Sequence, residues 1–149
     1  MSPAVGADAG EIWTVQRAAF AGVAQQYGDP YLPPLTETLA EVTAAVAEGR
    51  VLVARLDSRI VGAVRTRVDD GVCHIGRLVV APDLHGYGIG SALLRAAEER
   101  HAGQVREYAL FTGVGSGGSV ALYVRHGYVV GRVEQGPGHP DLVHLRKPV

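Results

Sequence analysis

The segment LHGYGIGSALL at positions 84–94 constrains the fold of this chain more than any other stretch. It follows an apolar run typical of a strand and leads into a pattern that places Leu93, Leu94 and Ala97 on one helix face. Glycines at such a turn let a ligand approach the main chain without a Cβ in the way. The first N–H groups of a helix have no intrahelical partner, and the helix dipole adds positive charge there. The segment therefore predicts a strand–turn–helix unit with an anion site at the start of the helix.

The flanking sequence predicts a mixed sheet with helices on its faces. A short strand near SPAV precedes a helix capped by Asp8, and the three prolines in YGDPYLPPL predict a non-helical loop. Thr36 is predicted to cap a second helix that stops at Gly49. The glycine-rich helix should connect two parallel neighbouring strands. Further strands are predicted at 51–55, 60–68, 73–82, 108–112, 128–134 and 141–146, and helices at 88–100 and 119–127.

Length and composition indicate one domain over residues 1–149 and exclude several classes of protein. Cys73 is the only cysteine, so an internal disulfide framework and a cysteine-based metal cluster are excluded. The net charge is −1, which indicates neither a nucleic-acid nor a membrane partner. No apolar run approaches the roughly 20 residues that cross a bilayer. We expect a cytoplasmic protein.

Two common nucleotide-binding motifs do not fit the glycine segment. A Rossmann fingerprint has the spacing G-x-G-x-x-G and an acidic residue about 20 positions later, whereas this chain has G-x-G-x-G and no acid in YALFT. A Walker A loop needs a lysine after its last glycine, and Lys147 is the only lysine. A nucleotide-binding protein is therefore disfavoured, and thermal shifts with ATP and NAD would test that.

The phrases RLVVAPDLHGYGIGSALL and LYVRHGY together resemble the GNAT superfamily of acyl-CoA-dependent N-acyltransferases. Val80, Pro82, Gly88 and Gly90 are in register with the family's central motif, and His85 stands where the family usually has Arg or Gln. The second phrase matches the family's Leu-Tyr-x-x-x-Gly-Tyr/Phe signature, and the resemblance covers essentially the whole chain. It implies a GNAT-like α/β fold, with a central mixed, mostly antiparallel sheet, a splayed parallel strand pair and helices on both faces.

The resemblance also implies acetyl-CoA as cofactor. Backbone N–H groups from Gly86 to Ser91 are expected to hold the pyrophosphate, and backbone groups of residues 78–80 to pair with the pantetheine arm. His85 adds at most one hydrogen bond, because histidine is mostly neutral at pH 7, and it is nearly as well explained as a solvated loop residue. The expected cofactor-binding residues are Leu78, Val79, Val80, His85, Gly86, Tyr87, Gly88, Ile89, Gly90, Ser91, Ser116, Ser119 and Tyr123.

Tyr123 is the expected catalytic residue, since in similar enzymes this tyrosine donates a hydrogen bond to the sulfur of coenzyme A. The alternative is a packing residue on a short helix. A backbone N–H of Val79 or Val80 is expected at the carbonyl oxygen of the thioester. Ser116 and Ser119 either contact coenzyme A or cap the following helix.

The acceptor side is predicted less sharply. Tyr27 and Tyr31 around Asp29 would suit an amine cation, or these three residues merely fix a proline-rich turn. His74 is a candidate base through a water molecule, and Glu134 either reaches the acceptor or is solvated. The sequence lacks the glutamate that many relatives carry before the CoA motif, which favours a weakly basic amine. His139 and His144 lack metal-ligand spacing, and no metal site is expected.

We therefore expect an N-acetyltransferase that transfers an acetyl group from acetyl-CoA directly to a primary amine of a small molecule or peptide. The alternative is a catalytically silent, CoA-sensing domain of the same fold, which would bind acetyl-CoA without consuming it. A homodimer through the terminal strands is plausible from family habit.

Overall fold

A computed structural model describes residues 1–115, 117–135 and 140–149 of the chain. The strands are β1 (Ser2–Pro3), β2 (Val51–Leu56), β3 (Arg59–Asp69), β4 (Val72–Val80), β5 (Glu107–Gly113), β6 (Val129–Glu134) and β7 (Leu142–Pro148). The helices are α1 (Ala9–Tyr27), α2 (Pro33–Thr36), α3 (Leu39–Ala47), α4 (Ile89–His101) and α5 (Gly117–Arg125). No helix in these ranges is long and apolar enough to cross a membrane.

The strands form one sheet in the order β1-β2-β3-β4-β5-β7-β6. The pair β4–β5 is parallel, and the other neighbours are antiparallel. The parallel pairing covers only Val72–His74 on β4 and Glu107–Ala109 on β5. Beyond these residues the two strands separate, and the second half of β4 has one unpaired edge. The predicted mixed sheet with a splayed parallel pair is confirmed.

Helices cover both faces of the sheet, as the sequence predicts. One core cluster packs α4 residues Leu93 and Leu94 and α5 residue Tyr123 against the sheet. The other packs Ile12 of α1 and Val42 of α3 against the opposite face. Side chains alternate across a strand, so β3 and β4 contribute to both clusters.

Two details of the N-terminal half differ from the sequence-based expectation. The proline-rich loop contains the short helix α2, because Pro33 and Pro34 occupy its first positions, where no N–H donor is needed. The cap of α3 is Thr38 and not Thr36. The Thr38 hydroxyl accepts from the N–H of Glu41 at 3.2 Å, and the Glu41 carboxylate accepts from the N–H of Thr38 at 3.1 Å.

Asp8 also acts differently from the prediction. It occupies the cap position of α1 without a side-chain hydrogen bond to that helix. Its carboxylate instead accepts from the N–H of Val5 at 2.8 Å and from Arg55 at 2.6 Å. The hydrogen bond from Arg55 is the main reason why the pKa of Asp8 is lowered.

A β-bulge in β4 shapes the middle of the sheet. Ala63 pairs with Val79 and Arg65 pairs with Gly76, so β4 carries one more residue than β3 across this interval. Arg77 lies in the bulge and has a left-handed backbone with φ +47°. A non-glycine residue pays strain energy in this conformation, and the surrounding sheet holds it there.

Candidate active site

A large cleft opens where β4 and β5 separate. Its volume is about 1360 Å³. Its walls come from the start of α4, the second half of β4, the end of β5, the first turns of α5 and the C-terminal part of α1. The described lining includes these sequence-predicted site residues: Tyr27, His74, Leu78, Val79, Val80, His85, Gly86, Gly88, Ile89, Gly90, Ser91, Ser119 and Tyr123.

The start of α4 presents unpaired backbone donors to this cleft. Gly88 caps the helix in the left-handed conformation with φ +78° and makes no side-chain cap hydrogen bond. Gly86 has φ +86°, so both positions require glycine. The first intrahelical bond runs from the N–H of Ala92 to the carbonyl of Gly88, which leaves the N–H groups of residues 89–91 without intrahelical partners. Unpaired N–H groups at a helix start are typical of anion-binding sites, and an anion site at this position stays a prediction from the sequence.

The free edge of β4 also offers backbone groups to the cleft. The N–H of Ala81 donates to the carbonyl of Val61 on β3 at 2.8 Å. Because backbone groups of successive residues point to opposite edges, the N–H and carbonyl of Val80 face away from β3, toward the cleft. The His85 ring confirms this direction, since its Nε2 donates to the Val80 carbonyl at 3.2 Å. Of the two predicted oxyanion donors, Val80 therefore has the suitable orientation.

His85 thus has a role that the sequence did not suggest. Its ring lies over the edge of β4 and occupies a carbonyl that the resemblance assigns to the pantetheine arm. The side chain is exposed, so this single hydrogen bond contributes little to stability.

Tyr123 projects from α5 into the cleft. It is 8% exposed and packs edge-on against Tyr128, with the ring centroids 6.0 Å apart. Burial raises the pKa of Tyr123 to about 12. Within the described part of the chain, its hydroxyl makes no hydrogen bond, and it is therefore available to a ligand. The phenol is a hydrogen-bond donor that stays protonated across the physiological pH range.

Three other predicted cofactor residues have different placements. Ser119 is half-buried in the lining and lies inside α5, so it does not cap that helix. Tyr87 is 75% exposed and does not line the cleft. Ser116 lies outside the described residues.

The predicted cluster of Tyr27, Asp29 and Tyr31 does not form one site. Tyr27 lines the cleft, and its hydroxyl accepts from the N–H of Gly115 at 3.0 Å, which ties α1 to the loop after β5. Asp29 accepts from the N–H of Tyr31 at 2.9 Å, and Tyr31 is 78% exposed. Neither Asp29 nor Tyr31 lines the cleft. The contacts match the alternative prediction, that these residues fix the turn.

His74 and Glu134 also separate. His74 lines the cleft and is half-buried, and burial followed by the charge of Arg67 lowers its pKa. His74 is therefore neutral at pH 7, as a general base must be. Glu134 does not line the cleft, and its carboxylate lies 3.1 Å from Nε2 of His144, which does.

Cys73 is fully buried between the sheet and α4. Burial and then the charge of Glu98 raise the pKa of its thiol to about 11. The thiol is thus neither accessible nor ionised, and Cys73 is a packing residue.

An ionic cluster that the sequence does not predict lies beside the bulge. Arg65 on β3 donates two hydrogen bonds to the Glu37 carboxylate, at 2.8 and 2.9 Å, and Gln16 donates a third at 3.0 Å. Arg77 lies at 3.5 Å from the same carboxylate. Burial alone would raise the pKa of Glu37, but the hydrogen bonds from Arg65 and Gln16 and the arginine charges lower it to about 2. No local spacing links these residues, so no sequence motif indicates the cluster.

Comparisons with known proteins agree with this geometry. The model of the acetyltransferase (GNAT) family matches residues 15–128. No curated protein matches the chain in a sequence comparison. A GCN5-related N-acetyltransferase from Rhodopseudomonas palustris superposes with a TM-score of 0.82 at 19% identity, covering 100% of this chain and 97% of that one. The paia N-acetyltransferase from Thermoplasma acidophilum, solved with coenzyme A, gives 0.78 at 18% identity and covers 99% and 96%.

A third similar structure is the ribosomal-protein-S18-alanine N-acetyltransferase from Escherichia coli. It has a TM-score of 0.75 and 18% identity, with 99% of this chain and 91% of that chain covered. The family match and the fold thus place the chain in the acyltransferase class, in which the similar structures include complexes with coenzyme A. The chain belongs to the GNAT acetyltransferase family, whose cofactor is acetyl-CoA.

Proposed function

We propose that this protein is an N-acetyltransferase that transfers an acetyl group from acetyl-CoA to a primary amine within a ternary complex. One observation carries the proposal. The uncapped start of α4, the free edge of β4 and the Tyr123 hydroxyl all face one cleft. These are a site for a diphosphate, a backbone ladder for an amide-containing arm and a donor for a leaving group.

The residues present fit coenzyme A. At Gly86 and Gly88 an added Cβ would meet no atom within 4 Å, so the space beside these backbones is open to a ligand. A Cβ at Gly90 would point between Val80 and Leu122, at 3.7 and 3.8 Å. N–H groups of residues 89–91 would hold the diphosphate, and the backbone of Leu78 and Val80 would pair with the arm.

Three groups of the protein divide the chemistry. Acetyl-CoA supplies an acetyl thioester that is activated toward amines. The Val80 N–H faces the cleft and would donate to the developing oxyanion. The Tyr123 hydroxyl would donate to the departing sulfur; since its pKa exceeds that of a thiol, a hydrogen bond is favoured over full proton transfer. His74, neutral at pH 7, would accept a proton from the amine directly or through water.

The deciding assay follows free thiol release from acetyl-CoA against a panel of amines and peptides. We expect release that depends on both acetyl-CoA and an amine. Thermal shift accompanies it, with coenzyme A stabilising the fold while ATP and NAD do not. Stabilisation by acetyl-CoA without thiol release across the panel would instead favour the silent, CoA-sensing alternative.

The homodimer is also part of this proposal. The edge strand β6 exposes three valines, with 67% of Val129, 48% of Val130 and 52% of Val133 accessible. Apolar side chains on an unpaired edge favour association with a second strand. Light scattering after gel filtration should give twice the monomer mass, and replacing Val130 and Val133 by lysine should give the monomer mass.

A further inference from the structure

The side chains that line the cleft are mostly basic, and acetyl transfer by itself does not explain this bias. Its described lining contains seven arginines and three histidines and no aspartate or glutamate. The whole chain carries 15 acidic and 14 basic residues, so the bias belongs to the cleft and not to the composition. An ammonium cation is repelled from such a wall unless the same molecule also carries negative charge.

Several of these arginines have a carboxylate partner within the protein. Arg146 pairs with Glu107 at 2.6 Å, and Arg67 lies 3.6 Å from Asp69. Arg65 forms the two-bond pair with Glu37. The acceptor therefore meets guanidinium groups that already have partners at most positions.

Arg77 is different. It shares Glu37 with Arg65, and since Arg65 occupies both carboxylate oxygens, Arg77 has only a contact of 3.5 Å. Its Nε is buried without a hydrogen-bond partner in the described part of the chain. The three side chains carry a net charge of +1, largely shielded from water, with 27% of Arg77, 12% of Arg65 and 9% of Glu37 exposed. Glu41 also acts on Arg77, but it is exposed to water, which weakens its effect. A partly buried, unbalanced charge is unfavourable until an anion pairs with it.

The diphosphate of coenzyme A does not account for Arg77. The diphosphate is expected at the start of α4, beyond the C-terminal end of β4. Arg77 lies three residues before Val80, roughly 10 Å back along the strand. Arg77 and His74, the candidate base, both lie on β4 and line the cleft.

We infer that Arg77 binds a carboxylate of the acceptor, and that the acceptor is an amine carrying its own carboxylate, such as an amino acid or an acidic peptide. The inference rests on the proposed acetyl transfer. A carboxylate matches the planar fork of a guanidinium, and Glu37, 3.5 Å from Arg77, helps to orient that fork. Arg77 has φ +47° in the bulge of β4, and it lines the cleft.

The test compares matched acceptors that differ only in this charge. Thiol release is measured for amino acids against their carboxamides, and for dipeptides with glutamate against glutamine at the second position. We expect kcat/KM to favour the acids by tenfold or more, the scale of a charge-assisted, two-bond contact. The amides have the less basic amines, so a preference for the acids cannot come from amine protonation. Equal or faster turnover of the amides would overturn the inference.

Arg77→Gln is the informative variant, because Glu37 keeps its two bonds to Arg65 and the fold keeps its ion pair. The preference for acids should fall to within twofold of unity, while KM for acetyl-CoA stays within twofold. Arg77→Lys should retain part of the preference. Arg95→Gln, which removes an exposed charge outside the cleft, should retain all of it. An unchanged preference in Arg77→Gln would refute the assignment.

A binding measurement separates this inference from acetyl transfer itself. Thermal shift of the CoA-saturated protein is recorded with N-acetylated amino acids and with their carboxamides as probes. The acids should stabilise the parent protein more than the amides do, and Arg77→Gln should abolish the difference. If acetyl-CoA binds and no amine is acetylated, acetyl transfer fails while this arm still decides the carboxylate site. No difference between acid and amide in the parent protein counts against the site.

Discussion

The cleft has two halves that differ in what they are made of. We call the half at the start of α4, where we propose that acetyl-CoA binds, the donor half, and the half at the bulge of β4, where we propose that the amine binds, the acceptor half. The half at α4 is made of backbone: left-handed glycines, uncapped N–H groups and a free strand edge, to which the His85 side chain donates one hydrogen bond. The half at the bulge is made of side chains from separate elements, held together by Glu37. A backbone site suits a ligand that does not vary, such as coenzyme A. A side-chain site is easily altered between relatives, which suits the acceptor.

Removing the Tyr123 hydroxyl should have the largest effect on activity, because this group is proposed to contact the reacting thioester. Tyr123→Phe should lower kcat by about 100-fold with little change in KM for either substrate. The loss is limited because a thiolate is already a fairly good leaving group, and the variant removes only one hydrogen bond to it. Steady-state kinetics with both substrates varied would measure this. Turnover within error of the parent enzyme would refute the role of Tyr123.

The pH profile of activity is a second test of the role of Tyr123. Its pKa of about 12 keeps Tyr123 protonated throughout an assay from pH 6 to 10. Activity should therefore rise with pH as the amine and His74 lose protons, without a fall at the alkaline end that belongs to Tyr123. A loss of activity between pH 9 and 10 in the parent enzyme, absent from an otherwise active variant with phenylalanine at position 123, would contradict this.

Glu37→Gln would break the acceptor half alone. It removes the anion between two arginines, and we expect a loss of about 3 kcal/mol in the free energy of unfolding. Denaturant unfolding measures it. Glu48→Gln is the matched control, because its partner Arg50 lies 3.3 Å away in an exposed pair, worth roughly 0.5 kcal/mol or less.

The ion pair of Glu37 with Arg65 also predicts that the free energy of unfolding depends on pH in the acidic range. The pKa of Glu37 is about 2 in the folded protein and 4.5 in an unperturbed carboxyl, so its contribution is complete above about pH 5. It is lost as the pH falls toward 2. The stability difference between parent and Glu37→Gln should shrink over this window, and a constant difference would show that Glu37 is not the responsible group.

Gly88→Ala would break the donor half. Alanine at φ +78° is strained, and its Cβ enters the space beside the helix start. KM for acetyl-CoA should rise about tenfold, and the free energy of unfolding should fall by about 1 kcal/mol. Gly10→Ala, at an open position in α1, should leave KM unchanged. Retention of the parent KM in Gly88→Ala would argue against a diphosphate at this helix start.

His85→Ala should have the smallest effect and sharpens the role of the side chain in the donor half. The variant frees the Val80 carbonyl, so KM for acetyl-CoA should stay the same or fall by about twofold. A tenfold rise in KM would mean that His85 contacts the diphosphate directly.

The helix bounds and caps that the sequence predicts wrongly have one cause in common. The prolines predict a non-helical segment at 27–35, but Pro33 and Pro34 occupy the first positions of α2, where the N–H that proline lacks has no helical partner. Thr36 and Thr38 are both plausible caps, and only Thr38 has a glutamate three residues later in this chain, which completes the reciprocal bonds. Asp8 meets Arg55, a residue 47 positions away. A local sequence pattern predicts that a helix exists, whereas the exact cap of the helix also depends on which other residues its end contacts.

The sequence by itself determined the donor half, the strand order along the chain and the position of Tyr123. Glycine conformations, helix starts and strand edges follow from residues close together in the chain, so a pattern can reveal them. Only the tertiary structure decided the acceptor half, because Glu37, Arg65 and Arg77 are 28 and 12 positions apart and meet through the pairing of β3 with β4 and the packing beside α1. Charge in a cleft depends on which side chains the fold brings together, and no local spacing encodes that.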